Sequence, residues 1–172
     1  MNGFGHESPK NKTKEWYTPR YIFESLGVSF DLDPCSPGKD IVPWVTADAH
    51  YTLKHDGLSR RWFGNVWMNP PYGRQVSEWT RKFANHGNGI ALLFARTETK
   101  WFLELSNNAD AFCFINKRVN FVRQRDAESY KLGDKTAKES PGAPSVLVAF
   151  GEDNVKALAD SGLGITMVKI GA

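Results

Sequence analysis

Residues 62–73, WFGNVWMNPPYG, decide the reading of this chain. The run from Phe63 to Met68 has the length and side chains of a buried strand, and it ends in an asparagine, two adjacent prolines and a tyrosine. An ordinary turn leaving a strand needs none of that set. Together the four residues suit a planar amine. The exocyclic amino group of a nucleobase is a poor nucleophile, because its lone pair is delocalised into the ring. Two acceptors set off the ring plane, the Asn69 side-chain oxygen and the Pro70 carbonyl, would hold both N–H groups and favour a tetrahedral nitrogen whose lone pair faces an electrophile. Pro70 and Pro71 each fix their own φ and have no N–H to compete for that carbonyl. Tyr72 offers a ring on which a base taken out of the duplex can stack.

Outward from this loop, apolar runs alternate with helical patterns. Thr18 as N-cap, Pro19 at the first helical position and Gly27 as the stop frame a short helix with Ile22, Phe23 and Leu26 on one face. VSFDLD (28–33) alternates as a strand does, and residues 34–61 read mostly as loop with a short strand around Ile41 to Val45. After the NPPY loop, Val76, Trp79 and Phe83 mark a helix closed by Gly87. IALLFA (90–95) is a strand, Trp101, Phe102 and Leu105 mark a helix, and AFCFI (111–115) is a strand. SVLVAF (145–150), a helix near 153–160 and ITMVKI (165–170) complete the pattern. The expectation is an α/β fold: a mostly parallel sheet covered on both faces, with an antiparallel C-terminal pair. Ligands of such sheets bind beyond the strand ends where strand order reverses. FDLDPCS (30–36) and VWMNPPY (66–72) are the two strand ends with unusual chemistry.

Composition narrows the classes of function. The chain has 172 residues, a length suited to one domain, with residues 1–14 expected as a flexible N-terminal arm and 15–172 as the domain. The net charge of +3 permits an anionic partner without requiring one. Only two cysteines, Cys35 and Cys113, are present, so a disulfide framework is not expected. No run is long and apolar enough for a membrane span, and MNGFGHESPKNKTKE lacks the apolar centre of a secretion signal, so a cytoplasmic protein without membrane partners is expected. Residues 116–144 lose all periodicity and carry many basic side chains. They read as a mobile loop beside the catalytic loop, in which Arg118 and Arg123 would meet phosphates and Phe121 would support the base.

The ordered set EWYTP (15–19), FDLDPCS, HDGL (55–58), WFGNVWMNPPYG, LLFARTETKWF (92–102), RVNF (118–121) and PSVLVAF (144–150) resembles the phage-type DNA N6-adenine methyltransferase family. The resemblance covers roughly residues 15–150. It implies a Rossmann-like fold, S-adenosylmethionine as cofactor, DNA as substrate and a bacterial or phage-infected host cell. It implies Asn69, Pro70, Pro71 and Tyr72 as the catalytic loop, and Asp33 and Pro34 at the methionine end of the cofactor. Asp56 would approach the cofactor's adenine, while Trp16, Thr18 and Pro19 would close over it from the N-terminal side.

The chain departs from the broader methyltransferase pattern in two respects. DPCSPG follows the first long strand where a glycine-rich loop is usual, and the acid expected on the ribose is not identifiable; Asp40 and Asp48 are weak candidates. NPPY also marks enzymes that methylate RNA bases or protein glutamine, and a non-catalytic nucleic-acid-binding module of the same fold is a further reading. Glu98, Thr99 and Lys100 spell the ExK fragment of nuclease metal sites, but on a stretch with helical pattern. Cys35, His50 and His55 lack a fourth zinc ligand, so no metal is expected. Nothing in the sequence indicates the oligomeric state.

Overall fold

The apolar runs form one seven-stranded sheet in the computed structural model, which describes residues 15–133 and 140–169. The expected arm, residues 1–14, lies outside the described residues. The N-terminal half contains β1 (Trp16–Tyr17), α1 (Arg20–Leu26), β2 (Phe30–Asp33), β3 (Ala47–His50), β4 (Val66–Met68), α2 (Val76–His86) and β5 (Gly89–Phe94). Then follow α3 (Lys100–Ser106), β6 (Ala111–Ile115), β7 (Val122–Arg123), α4 (Ala127–Lys131), β8 (Ser145–Phe150), α5 (Glu152–Asp160) and β9 (Gly164–Val168). The sheet order is β3-β2-β4-β5-β8-β6-β9, and β1 pairs with β7 in a separate ribbon.

Local chemistry explains most element boundaries. α1 buries Ile22, Phe23 and Leu26, and it ends where Gly27 adopts φ 63°, a left-handed conformation that glycine reaches without Cβ strain. Its start differs from expectation by one residue. Pro19 is the cap, with ψ 151°, and Arg20 is the first helical residue, so Thr18 does not cap the helix. The IVPWV stretch is not a strand; Val42 and Val45 are buried in a turn, and Ala47–His50 pairs with β2 instead. Tertiary pairing overrides the β propensity of the earlier run.

The sheet is mixed: β3, β2, β4, β5 and β6 run one way, and the two C-terminal strands, β8 and β9, run the other. β2–β3, β2–β4 and β4–β5 pair parallel, while β5–β8, β6–β8 and β6–β9 pair antiparallel. β8 enters between β5 and β6, opposite to both, and its first residues face the carboxyl ends of those strands: Ser145 opposite Phe94 and Val146 opposite Phe114. The chain therefore leaves β6 and re-enters β8 at one rim of the sheet. That is the rim where β4 ends, so the connection from β6 to β8 starts and finishes there.

One side of the sheet packs Phe30, Trp67, Leu92 and Leu147 against α1 and α5; the other packs Leu32, Met68, Leu93 and Val148 against α2 and α3. Phe23, Phe30 and Trp67 form an aromatic cluster, with Phe23 and Trp67 ring centres 4.7 Å apart. No helix among the described residues is long and apolar enough to cross a membrane.

Strand order reverses about β2, because the chain runs outward from it to β3 and then returns to β4 on its other side. The loops after β2 and β4 consequently flank a crevice. The HDGL turn closes one wall of it. A Cβ on Gly57 would collide with the Pro34 carbonyl, so the glycine lets this turn lie directly on the DPCSPG loop. Gly57→Ala should lower the unfolding free energy by about 1–3 kcal/mol in a urea titration, the usual cost of overpacking. Gly142→Ala, where an added Cβ meets nothing within 4 Å, should stay within about 0.5 kcal/mol of the parent.

Candidate active site

The crevice is a cleft of about 750 Å³, and Trp16, Thr18, Asp33, Pro34, Asp56, Asn69, Pro70, Pro71 and Tyr72 all line it. The structure thus brings together every residue expected in the catalytic loop and five of the six expected at the cofactor, from separate stretches of the chain. Pro19 is the exception. It is buried as the cap of α1 and does not line the cleft.

Asn69 follows β4 directly, and its amide is oriented. Its Nδ2 donates to the Trp16 carbonyl at 2.6 Å, which leaves Oδ1 as the end free to accept. Tyr72 lies at the other end of the loop. Its ring stacks on Phe94 with centres 3.7 Å apart and planes 9° from parallel, so one of its faces is already taken. The hydroxyl donates to Leu92 O over a long 3.4 Å, and burial raises its pKa far above the ordinary phenol value.

Asp33 ends β2 with only 4% of its surface exposed. Burial pushes its carboxyl up to about 7, against hydrogen bonds from the Cys35 N–H, at 3.1 Å, and from the Cys35 side chain. A relay of hydrogen bonds fixes the DPCSPG loop that follows. Gly38 N–H donates to Ser36 Oγ at 3.0 Å, and that hydroxyl donates to His50 Nδ1 at 2.8 Å. His50 Nε2–H in turn donates to Ala47 O at 3.0 Å, and burial lowers the imidazole pKa, which keeps the ring neutral in this role. Side chains here hold a backbone that a glycine-rich loop would leave to φ and ψ alone.

Asp56 sits at φ 51°, exposed, in the turn that Gly57 presses against Pro34. Lys82, on α2, donates to the carbonyls of Gly57, Leu58 and Arg60, and its ammonium lies 5.3 Å from the Trp62 ring centre. Trp62 Nε1 also donates to Gly57 O, at 2.8 Å. The turn is therefore pinned from two sides. Burial lowers the Lys82 pKa, partly offset by Asp56.

Residues 122–131 are not the structureless loop expected, and residues 134–139 of that loop lie outside the described residues. β7 pairs with β1 antiparallel, Trp16 opposite Arg123 and Tyr17 opposite Val122, and a 3-10 turn (Gln124–Asp126) leads into α4. Tyr130 of α4 meets Trp44 edge-on at 4.7 Å and accepts the Arg20 N–H at 2.9 Å. Phe121 is buried between Trp16 and Phe94. Arg123, expected at a phosphate, is instead 2% exposed, with its guanidinium carbon 3.8 Å from the Trp16 ring centre. Such a desolvated cation–π pair is worth about 2 kcal/mol. The expectation failed because a basic residue in an aperiodic stretch was read as solvated, and its tryptophan partner lies far away in sequence. Arg118 is exposed, and one guanidinium nitrogen reaches the Pro141 carbonyl at 3.5 Å.

The sequence reading missed several residues of the cleft. Trp79 lines it, and its indole N–H is buried without a hydrogen-bond partner among the described residues; the same is true of Thr18 Oγ1. Trp79 stood out in the sequence only as one apolar position of α2. Val42, Val45 and Trp67 supply apolar wall, and Gln75, Gln124 and the almost fully exposed Leu53 stand along it. The cysteine and histidines considered for zinc are engaged otherwise, since His55 Nδ1 accepts from Thr52 and His50 serves the Ser36 relay. Among the described residues no group of three His, Cys, Asp or Glu side chains is placed to hold a metal ion. Lys100 begins α3, so Glu98 and Lys100 do not share a strand.

No match was found among curated proteins or among solved structures. A family model described as DNA N-6-adenine-methyltransferase (Dam) matches residues 5–150, most of the chain. The match contains the oriented Asn69 and the loops that form the cleft around it, and on that ground the chain belongs to the DNA N-6-adenine-methyltransferase (Dam) family, enzymes that methylate the N6 amine of adenine in DNA.

Proposed function

We propose that the cleft holds S-adenosylmethionine on a Rossmann-like methyltransferase scaffold, and that the Asn69–Tyr72 loop presents an extruded adenine to it. The observation carrying this reading is the orientation of the Asn69 amide: its nitrogen is committed to Trp16 O, and its oxygen remains for a substrate N–H.

The residues present fit that cofactor. Asp33 is a buried carboxylate suited to an ammonium group, Thr18 and Trp79 have buried polar atoms without a protein partner, and Val42, Val45 and Trp67 give apolar surface for a ring. A volume of about 750 Å³ suits a ligand of nucleoside-plus-amino-acid size. Asp33, Pro34 and Thr18 would hold the amino-acid end, and Asp56 and Trp79 the nucleobase end. When bound, S-adenosylmethionine supplies a methyl group already activated on a sulfonium centre.

The chain's own residues then have three tasks. Asn69 Oδ1 and the Pro70 carbonyl accept the two amine hydrogens, which draws the nitrogen out of conjugation and stabilises the charge that develops on it. Tyr72 keeps one ring face for the base, because Phe94 covers the other. Asn69 is too weak a base to remove a proton, so the proton leaves the cationic product amine for solvent. An exposed, basic Arg118 on the connection that leaves the same sheet rim favours a polyanionic substrate over a protein glutamine.

In a transfer assay with labelled cofactor, unmethylated DNA should acquire label in N6-methyladenine, and RNA and protein offered alongside should not. Asn69→Ala should lower that transfer at least about 100-fold while retaining cofactor binding, the usual loss for a preorganised group facing developing charge. A folded Asn69→Ala protein with normal turnover would overturn the mechanism. Tyr72→Phe should cost less than about threefold, because the hydroxyl makes only the long bond to Leu92, whereas Tyr72→Ala should weaken the substrate step.

Asp33 makes binding and stability depend on pH. Its folded pKa of about 7 lies above the ordinary 3.8, so the folded chain takes up this proton first. Its contribution to stability is complete below about pH 4 and is lost as pH rises through 7. An ammonium ligand needs the carboxylate, so the Kd of S-adenosylmethionine should rise about tenfold per pH unit below 7. Calorimetry of Asp33→Asn should show weaker binding at pH 8, no such slope, and a fold more stable to urea at pH 8 than the parent.

A further inference from the structure

Asn69 and Tyr72 stand at the two ends of the catalytic loop, and a single chain of contacts braces both. The Trp16 carbonyl accepts from the Asn69 amide at 2.6 Å. The Trp16 ring meets Phe121 edge-on at 5.8 Å, and Phe121 meets Phe94 edge-on at 6.5 Å. Phe94 stacks on Tyr72 at 3.7 Å, which returns the path to the loop. Arg123 joins this circuit at Trp16, as its strand partner and as the cation against its ring.

Two physical points give Arg123 a role. A ribbon of two residues per strand is marginal by itself, so β1 stays in register only if side chains hold it. A buried guanidinium against an indole is such a hold, strengthened by desolvation and by planar stacking that a lysine cannot reproduce. The second point is sign. An Asn69 amide turned by half a rotation would offer its N–H groups to the N–H groups of the amine, and catalysis would fail without any change of shape. We propose that Arg123 is a positioning residue for Asn69: it clamps Trp16 so that the Trp16 carbonyl keeps the Asn69 oxygen turned toward the substrate amine. The inference rests on the proposed role of Asn69.

The test is a double-mutant cycle, with Arg123→Met and Arg123→Lys each made alone and with Asn69→Ala. Arg123→Met should lower the single-turnover methyl-transfer rate about 10- to 100-fold, the range expected when a reacting group loses its alignment. Arg123→Lys should fall between parent and Met. Cofactor Kd and the salt dependence of DNA binding should stay within twofold of the parent. With Asn69→Ala present, neither substitution should lower the residual rate further. A second readout needs no activity: the side-chain amide signals of Asn69, identified by their loss in Asn69→Ala, should shift in Arg123→Met.

Equal losses with and without Asn69 would overturn the proposal, and so would unmoved amide signals. A flattened salt slope would return Arg123 to a phosphate and overturn it too. If Asn69→Ala retains full transfer, the catalytic reading fails, and the amide signals then decide whether Arg123 orients that side chain. Should Arg123→Met not fold, Arg123→Lys carries the same comparison.

Discussion

A primary amide has a donor end and an acceptor end of nearly equal size, so packing cannot choose between them and a hydrogen bond must. In this enzyme the bond from Asn69 to the Trp16 carbonyl makes that choice, and much of the surrounding architecture exists to keep Trp16 in place. Trp16 belongs to a strand of two residues, which stands only because β7 lies beside it. β7 is at hand because β8 runs opposite to β5 and β6, so the connection from β6 to β8 starts and finishes at the rim where β4 ends. An antiparallel insertion in the sheet and the orientation of one side chain are thus consecutive links of one argument.

The parts legible in the sequence are those whose chemistry is local. AFCFI and SVLVAF became β6 and β8 at the expected residues, because short apolar runs between turn signals leave a buried strand as the economical solution. NPPY was legible as a loop leaving a strand, because its four residues are contiguous and follow β4 directly. The parts that were not legible depend on distant partners. ADAH is a poor strand by composition, and it becomes β3 because β2 offers it a parallel edge. Arg123 looked solvated until Trp16 covered it. Thr18 and Pro19 were read as a helix start, correct to within one residue, yet the cleft makes Thr18 part of its wall and leaves Pro19 out.

The cleft is also less relaxed than a turn-and-strand description implies. Asp33 is held in a dry position with too few partners to keep its charge comfortably, and Thr18 and Trp79 have buried polar atoms left unpaired. Unpaired buried groups are costly in a protein at rest and useful in one that awaits a polar ligand. The Ser36–His50 relay and the Lys82 contacts to the HDGL turn are the counterweight, because they keep the two walls of the cleft in place around those groups.

The bond that orients Asn69 joins residues 53 positions apart, and the contact between Arg20 and Tyr130 spans 110. Contacts that close long loops are the slowest to form, since chain entropy must be lost before they return any free energy. The parallel part of the sheet can therefore assemble during synthesis with the catalytic loop present but its amide free to turn. The Asn69–Trp16 bond and the β1–β7 pairing are then late steps of folding, since β7 must first fold back on β1.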